Sequence, residues 1–327
     1  KKKFIKTNLT SPDTVTLHKT LQFLKIKKIN NVIIESSSHG LDQKRMHHIN
    51  FKGAIFTNFS QDHLDYHKTM RSYLDAKLVL FREILKTRNT IISDQEIKIY
   101  SILRKIAKRK NLKLLDIKKE FEEIKNNYPN FNSEFKIKNL AMVIKAAKLC
   151  NLNETSIRKS IKKLKDVNGR LELIKRYPYG IKVIVDYAHT PDALLKTLKS
   201  LKNDYGNNIS LVFGCGGERD FKKRPIMAKI ANDNCKKIYV TDDNPRNENP
   251  KKIRSILLKH IHKSKAFEIG NRAQAIKKAI QNANPQEIIL VAGKGHEEKQ
   301  IYKNKIKKIS DKRIIKKLKI KNKIFSK

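Results

Sequence analysis

The sequence predicts two α/β domains, each on a mainly parallel sheet, with a boundary near residue 167. Three observations carry this. Short Val/Ile-rich runs recur with helical stretches between them. Residues 117–167, rich in Lys, Asn and Glu, show helical patterning but little strand signal. After Gly169 a second series of strand-then-helix begins. Buried strands of a parallel sheet read as near-continuous apolar runs separated by crossover helices.

In the first domain, Val32-Ile33-Ile34, Gly53-Ala54-Ile55-Phe56-Thr57 and Thr90-Ile91-Ile92 read as strands, with helices over Thr14–Lys27 and Met70–Leu85. Helices are expected near Asn139–Cys150 and Asn153–Lys165. In the second domain the strands are Val183–Asp186, Ser210–Phe213, Lys237–Thr241 and Glu287–Ala292. Thr190-Pro191 marks a helix start, with Thr as N-cap and Pro at the first helical position. The basic run Lys303–Lys327 carries Ile306, Ile309, Ile314, Ile315 and Leu318, which suggests a packing helix rather than a tail.

Composition narrows the function. The 327-residue chain has 74 basic and 31 acidic residues, a net charge of +43, yet hydrophobic residues make up 39%. Regular apolar patterning argues against disorder. The lysines are spread through every segment together with Ile and Asn, as AT-rich codons produce, and Trp is absent. Specific nucleic-acid recognition calls for clustering or interleaved aromatics; a basic nucleic-acid-binding protein is kept as an alternative of another class. No apolar run reaches the roughly 18–20 residues of a membrane span. Cys150, Cys215 and Cys235 form no paired motif, which fits a reducing, cytoplasmic compartment.

Ligands of open parallel sheets sit beyond the carboxyl ends of the strands, and the unusual residues gather there. Glu35-Ser36-Ser37-Ser38-His39-Gly40 reads either as a Mg²⁺ carboxylate beside phosphates or as a helix cap. His63 and His67, four apart, read either as a metal pair or as polar packing. In the second domain four strand ends carry Asp186-Tyr187-Ala188-His189, Gly214-Cys215-Gly216-Gly217-Glu218-Arg219-Asp220, Asp242-Asp243-Asn244-Pro245-Arg246 and Gly293-Lys294-Gly295-His296-Glu297. Glycines let backbone approach a ligand and Arg can grip a carboxylate bidentately. Together they predict a polar crevice for a small ligand with amino and carboxylate groups.

These segments resemble the Mur ligase family of peptidoglycan synthesis, in its diaminopimelate-adding branch. The similarity runs from about Asn8 to Gln300, through E-x-S-S-H-G-L-x-Q-x-R, F-T-N-x-x-x-D-H-L-D-Y-H, G-R-L-E, D-Y-A-H-T-P-D-A-L, F-G-C-G-G-x-R-D, D-D-N-P-R and G-K-G-H-E, in the family's order. The resemblance implies a truncated central ATPase domain over residues 1–167 and a Rossmann-like C-terminal amino-acid-binding domain over 168–327. It implies a cytoplasmic, ATP- and Mg²⁺-dependent ligase. UDP-N-acetylmuramoyl-L-alanyl-D-glutamate is activated as an acyl phosphate and joined to meso-2,6-diaminopimelate. Cell-wall synthesis, and through it cell shape and division, would depend on that step.

By that resemblance, Thr10, Ser11, Ser37, Gln43 and Arg45 contact the muramyl substrate; Ser11 stands where the family has a second threonine. Glu35 and His63 bind Mg²⁺. Lys77, catalytic in the family, is carbamoylated and becomes an anionic ligand. Asn139 lies near the adenine, and Lys136 stands where the family has a further asparagine. Arg170, Asp186 and His189 serve the nucleotide, His189 also in catalysis. Arg219, Asp243, Asn244, Pro245, Arg246, Gly293 and Glu297 form the diaminopimelate site, the arginine of D-N-P-R selecting the far carboxylate that lysine lacks. A lysine-adding family member and a folylpolyglutamate synthase-like ligase are the alternatives within the class. No G-x-x-x-x-G-K-[ST] turn occurs in these residues and the first is Lys1. The expectation is a P-loop encoded upstream and no turnover by this chain alone.

Overall fold

A computed structural model describes residues 9–128 and 133–319. Asn8, where the family similarity starts, and the last eight residues of the basic C-terminal run lie outside them. The chain forms two compact units: Lys1–Phe59 with His67–Lys163, and Ser60–Tyr66 with Leu164–Lys327.

The first unit holds a three-stranded parallel sheet, β1 (Gly53–Phe56), β2 (Thr90–Ser93) and β3 (Lys113–Leu115), in that order. Side chains alternate across a strand, and here both faces are covered. Ile91 enters a core with Phe56, Leu78, Phe81 and Leu103. Its neighbour Ile92 enters another, with Ile117, Ile137, Leu140 and Ile144. Helices Thr14–Ile26, Met70–Val79 (continued as a π-turn over Leu80–Ile84), Tyr100–Lys110, Lys118–Asn127, Glu134–Leu149 and Glu154–Ile161 supply covering residues. Val32-Ile33-Ile34, expected as a strand, joins no sheet among the described residues. Val32 is 44% and Ile33 93% exposed. Apolar β-branched residues favour extended backbone, but a strand needs a neighbour to receive its hydrogen bonds, and β1 pairs only with β2 among the described residues.

The second unit is a six-stranded sheet, β4 (Glu172–Arg176), β5 (Lys182–Asp186), β6 (Ile209–Phe213), β7 (Lys237–Val240), β8 (Ala266–Glu268) and β9 (Ile288–Ala292), in the order β4-β5-β9-β6-β7-β8. All neighbours run parallel except the edge pair β4–β5. Ile184, Leu211, Ile238 and Leu290 face helices through Leu194, Leu198, Met227 and Leu257. Val183, Val212, Tyr239 and Ile289 face Ala275, Ile276, Ala279 and Ile315 on the other side. Thr190 caps helix Pro191–Tyr205 by accepting from the Ala193 amide. Because β5, β6, β7 and β9 are parallel, their carboxyl ends, and the four polar segments that follow them, open at one edge.

The basic C-terminal run is divided. Strands β10 (Lys299–Tyr302) and β11 (Lys305–Lys308) form an antiparallel hairpin, followed by helix Asp311–Lys317. Ile306, assigned to a helix by its spacing, is on β11 and 60% exposed. Ile315 alone is fully buried, with Ile314 and Leu318 packed beside it. The reversal at Tyr302-Lys303, where Lys303 has φ 46°, breaks the helical period that the isoleucines suggested.

Candidate functional site at the strand tips

Backbone geometry brings the four segments of the second unit together. The Gly217 amide donates to the Asn244 carbonyl at 2.9 Å, and a Cβ at Gly217 would lie 1.9 Å from the Pro245 carbonyl oxygen. Only glycine permits that approach. Gly217→Ala is therefore expected to destabilise the unit by about 1–3 kcal/mol in urea denaturation and to splay the two loops, weakening ligand binding there. An alanine variant as stable as the parent would show that the loops can part freely.

Arg246 sits in the left-handed region at φ 52°. Its Nη1 donates to the Gly217 carbonyl at 2.7 Å and to the Asn244 carbonyl at 3.4 Å. Burial, then the like charge of Arg219, holds its guanidinium below the usual arginine range, against the pull of Asp243, Glu218 and Glu297. Arg219 is exposed and donates to Asp65 Oδ2 at 3.0 Å, within the same unit. Arg224, 2% exposed, binds the Gly216 carbonyl and Glu248 Oε1, which also accepts from the Glu218 amide. The glycine loop is thereby pinned to the loop after β7.

Asp243 and Asn244 are buried. Gly293, at φ 107°, would place a Cβ 2.9 Å from Asp243 Oδ2, and its amide donates to the Asp186 carbonyl. Glu297 accepts from Lys294 Nζ at 3.1 Å, Asn244 Nδ2 at 3.4 Å and the Tyr187 hydroxyl at 3.1 Å. Burial works against its charge, but Lys294, Tyr187 and Asn244 outweigh it and hold the carboxyl below its ordinary range. Tyr187 is in turn pushed up to about 12 by burial and by Glu297.

The residues expected near the nucleotide adjoin this group. Arg170 lies 4.5 Å from the Tyr187 ring centroid, and His189 meets the same ring edge-on at 4.7 Å. His189 Nδ1 is 2.9 Å from the Tyr187 carbonyl and Nε2 3.7 Å from Asp62. Burial would raise the Asp62 carboxyl; His189, His63 and Lys223 hold it well below the carboxylate range instead. Asp186 spends its carboxylate on the Leu171 and Ala188 amides and the Thr197 hydroxyl, and burial raises it. Tyr187 thus joins the nucleotide set to the amino-acid set. Tyr187 and Lys294 carry no expected role from sequence, and the signal for them is their place inside the strand-end segments.

In the first unit, Ser11 is fully buried. Its hydroxyl lies 2.8 Å from the Glu35 carbonyl and 3.0 Å from Ser37 Oγ, and it accepts from the Ser37 amide. Ser37 caps the turn Ser38–Asp42 through the Gly40 amide. Arg45 Nη1 donates to the Ser11 carbonyl at 2.9 Å and Nη2 to Gln43 Oε1. Ser11, Ser37, Gln43 and Arg45 are therefore one cluster, with Thr10 beside it on the exposed chain. Asn139 is exposed on helix Glu134–Leu149. Lys77 Nζ lies 5.2 Å from the Phe56 ring centroid and 5.5 Å from that of Tyr73. His67 is buried against Ser38 Oγ at 3.0 Å and stacks on Tyr73; of the two readings, this is polar packing.

Among the described residues no group of three His, Cys, Asp or Glu side chains is arranged to hold a metal. Glu35 and Lys77 lie in the first unit and His63 in the second. Glu35 is an exposed carboxylate, while Lys77 carries an ammonium group. Mg²⁺ commonly takes one or two carboxylates plus substrate phosphates and keeps several waters; in the first unit Glu35 is one such carboxylate, and Lys77 would add a second only as a carbamate.

Comparison with known proteins decides the family. Residues 1–155 match the Mur ligase middle domain and residues 169–295 the Mur ligase glutamate ligase domain. The chain is 37% identical over 332 residues to a UDP-N-acetylmuramoyl-L-alanyl-D-glutamate–2,6-diaminopimelate ligase of Rickettsia montanensis, covering 94% of this chain and 68% of that protein. The chain belongs to the Mur ligase family. A protein of the same name from Wigglesworthia glossinidia brevipalpis is 38% identical over 346 residues, covering 97% of this chain and 68% of that protein. Among solved structures, one ligase of that name superposes with a TM-score of 0.55 at 29% identity, over 93% of this chain and 67% of the other. A Mycobacterium tuberculosis folylpolyglutamate synthase complexed with ADP and AMPPCP shares the fold, with a TM-score of 0.60 at 16% identity over 75% of this chain and 62% of the other. Residues 1–155 accordingly belong to a Mur ligase middle domain and residues 169–295 to a Mur ligase C-terminal domain, both α/β, although Ser60–Tyr66 of the first stretch pack with the second compact unit. No helix among the described residues is long and apolar enough to cross a membrane.

Proposed function

We propose that the protein serves an ATP-dependent ligase that joins meso-2,6-diaminopimelate to UDP-N-acetylmuramoyl-L-alanyl-D-glutamate, in the cytoplasm. The supporting observation is the charge pattern at the strand tips. Arg219 and Arg246 lie close enough for their like charges to act on each other, while Glu297, near Arg246, accepts from Lys294 and Asn244, and Lys294 holds its carboxyl below the ordinary range. One anionic group and two cationic ones complement a ligand with an ammonium at one point and carboxylates at others.

The chemistry needs a phosphorylated carboxylate, because a free carboxylate has no adequate leaving group. The acyl phosphate then loses phosphate as the ligand's amine forms the amide. Glu297 with Asn244 receives the ammonium; Arg219 and Arg246 receive carboxylate; Asp243, Pro245 and Gly293 shape the wall. Arg170 and His189 serve the nucleotide, with Asp186 positioning the backbone at Leu171 and Ala188 beside them; in the middle domain Asn139 serves the adenine, and Thr10, Ser11, Ser37, Gln43 and Arg45 hold the muramyl peptide. Glu35, His63 and carbamoylated Lys77 would hold Mg²⁺, which supplies neutralisation of phosphate charge.

Titration of the chain with meso-diaminopimelate, L-lysine and L-glutamate, followed by amide chemical shifts, tests the amino acid. Meso-diaminopimelate is expected to bind at least tenfold tighter than L-lysine, since about 1.4 kcal/mol from one added ion pair corresponds to that factor. Equal or better binding of L-lysine would overturn the specificity, and preference for L-glutamate would move the chain toward the folylpolyglutamate branch.

A further inference from the structure

Lys294 is 1% exposed, and a lysine is almost never fully buried unless paired. Its ammonium lies 3.2 Å from Asn244 Oδ1 and 3.1 Å from Glu297 Oε2. Asn244 Oδ1 also accepts from the Ile301 amide at 3.0 Å. Two donors on that atom fix which end of the amide is oxygen. Its Nδ2 must therefore turn to Glu297 Oε2, where it lies at 3.4 Å. The Tyr187 hydroxyl holds the other carboxylate oxygen.

We propose that Lys294 is a positioning residue for amino-acid recognition: buried below the strand tips, it orients the Asn244 amide and keeps Glu297 aimed and anionic for the ligand's ammonium. The proposal rests on the reading of this site as the diaminopimelate site. Lys294 is too buried to meet the ligand itself and acts through its two partners. The other groups around Glu297 are Tyr187 with Arg170 and His296 against its ring, Asp243 and Arg246 from the loop after β7, and Arg272 from helix Arg272–Gln281. Among the described residues, Lys294 is the cation in hydrogen-bond reach of the carboxylate.

The test compares the unaltered chain with Lys294→Met, which keeps length and apolar volume, and Lys294→Arg, which keeps charge. Meso-diaminopimelate affinity is measured from pH 4 to 7, a span between the acid range of the ligand's α-carboxyls and the alkaline range of its α-amines, so that the ligand's own charge stays constant. A depressed carboxyl keeps its function until pH falls through its own folded value, so removing the ammonium moves the loss to higher pH. Lys294→Met is expected to lower affinity tenfold or more at pH 7 and to shift the acid limb up by about one pH unit. Lys294→Arg is expected to keep the parent's limb. Leu257→Ala, a cavity in the remote core, lowers stability and leaves the limb in place, which separates positioning from general loosening. A carbon-13 titration of the Glu297 carboxyl without ligand is expected to show the same upward shift. Binding by Lys294→Met with parental affinity and parental pH profile overturns the assignment while the substrate reading stands. No binding by the unaltered chain overturns the substrate reading and the role of Lys294 within it.

Discussion

Arg246→Leu is expected to weaken meso-diaminopimelate binding roughly a hundredfold while changing L-lysine affinity by no more than about threefold. A hydrogen-bonded charge contributes about 1.5–3 kcal/mol, and 1.4 kcal/mol is tenfold. Lysine lacks the second carboxylate and loses nothing when the guanidinium goes. The internal control matters because Arg246 Nη1 also ties down the Gly217 carbonyl. Loop loosening would weaken both ligands together, whereas loss of a carboxylate partner separates them. Parallel weakening in a two-ligand titration would reassign Arg246 to loop support and leave specificity to Arg219.

The largest stability effect is expected at Asp311. Arg272 and Asp311 are 1% and 2% exposed, paired through Nε–Oδ1 at 2.9 Å and Nη2–Oδ2 at 2.7 Å, and Nη2 also binds the Ala292 carbonyl at the end of β9. Arg272 Nη1 is buried with no hydrogen-bond partner. Asp311→Ala would strand a guanidinium that already has one unsatisfied corner. Breaking a buried pair from one side costs about 3–5 kcal/mol, so guanidinium-chloride denaturation is expected to show a loss of that order. Replacing both residues together, Arg272→Met with Asp311→Leu, is expected to recover most of it. A single variant of parental stability would mean that water reaches the pair.

The second sheet was legible because Lys182–Asp186, Ile209–Phe213, Lys237–Val240 and Ile288–Ala292 are apolar runs buried on both faces. Glu172–Arg176 was not, since an antiparallel edge strand reading Glu-Leu-Ile-Lys-Arg carries no such run. Val32–Ile34 misled for the opposite reason: its residues suit a strand, but pairing is a property of the neighbour. At the site, glycines and arginines signalled themselves by residue type. The positive φ of Glu218 and Arg246 did not, because nothing in a glutamate or arginine announces left-handed backbone. Lys294 was hidden by composition: among 74 basic residues, one buried lysine looks like every solvated one.

The hairpin β10–β11 reaches back to the loop after β7. The Arg246 amide donates to the Ile301 carbonyl, the Lys303 amide to the Arg246 carbonyl, and Gln300 Nε2 to the Asp242 carbonyl. This ribbon is a splint on the loop proposed to carry specificity, and it begins after residue 295, where the match to the glutamate ligase domain ends. A minimal amino-acid receptor cut at that point would retain every side chain proposed to meet the ligand except Glu297 and still lose the scaffold that sets Arg246. Transplanting this pocket into another protein therefore requires the solvent-facing ribbon as well as the residues that touch the ligand.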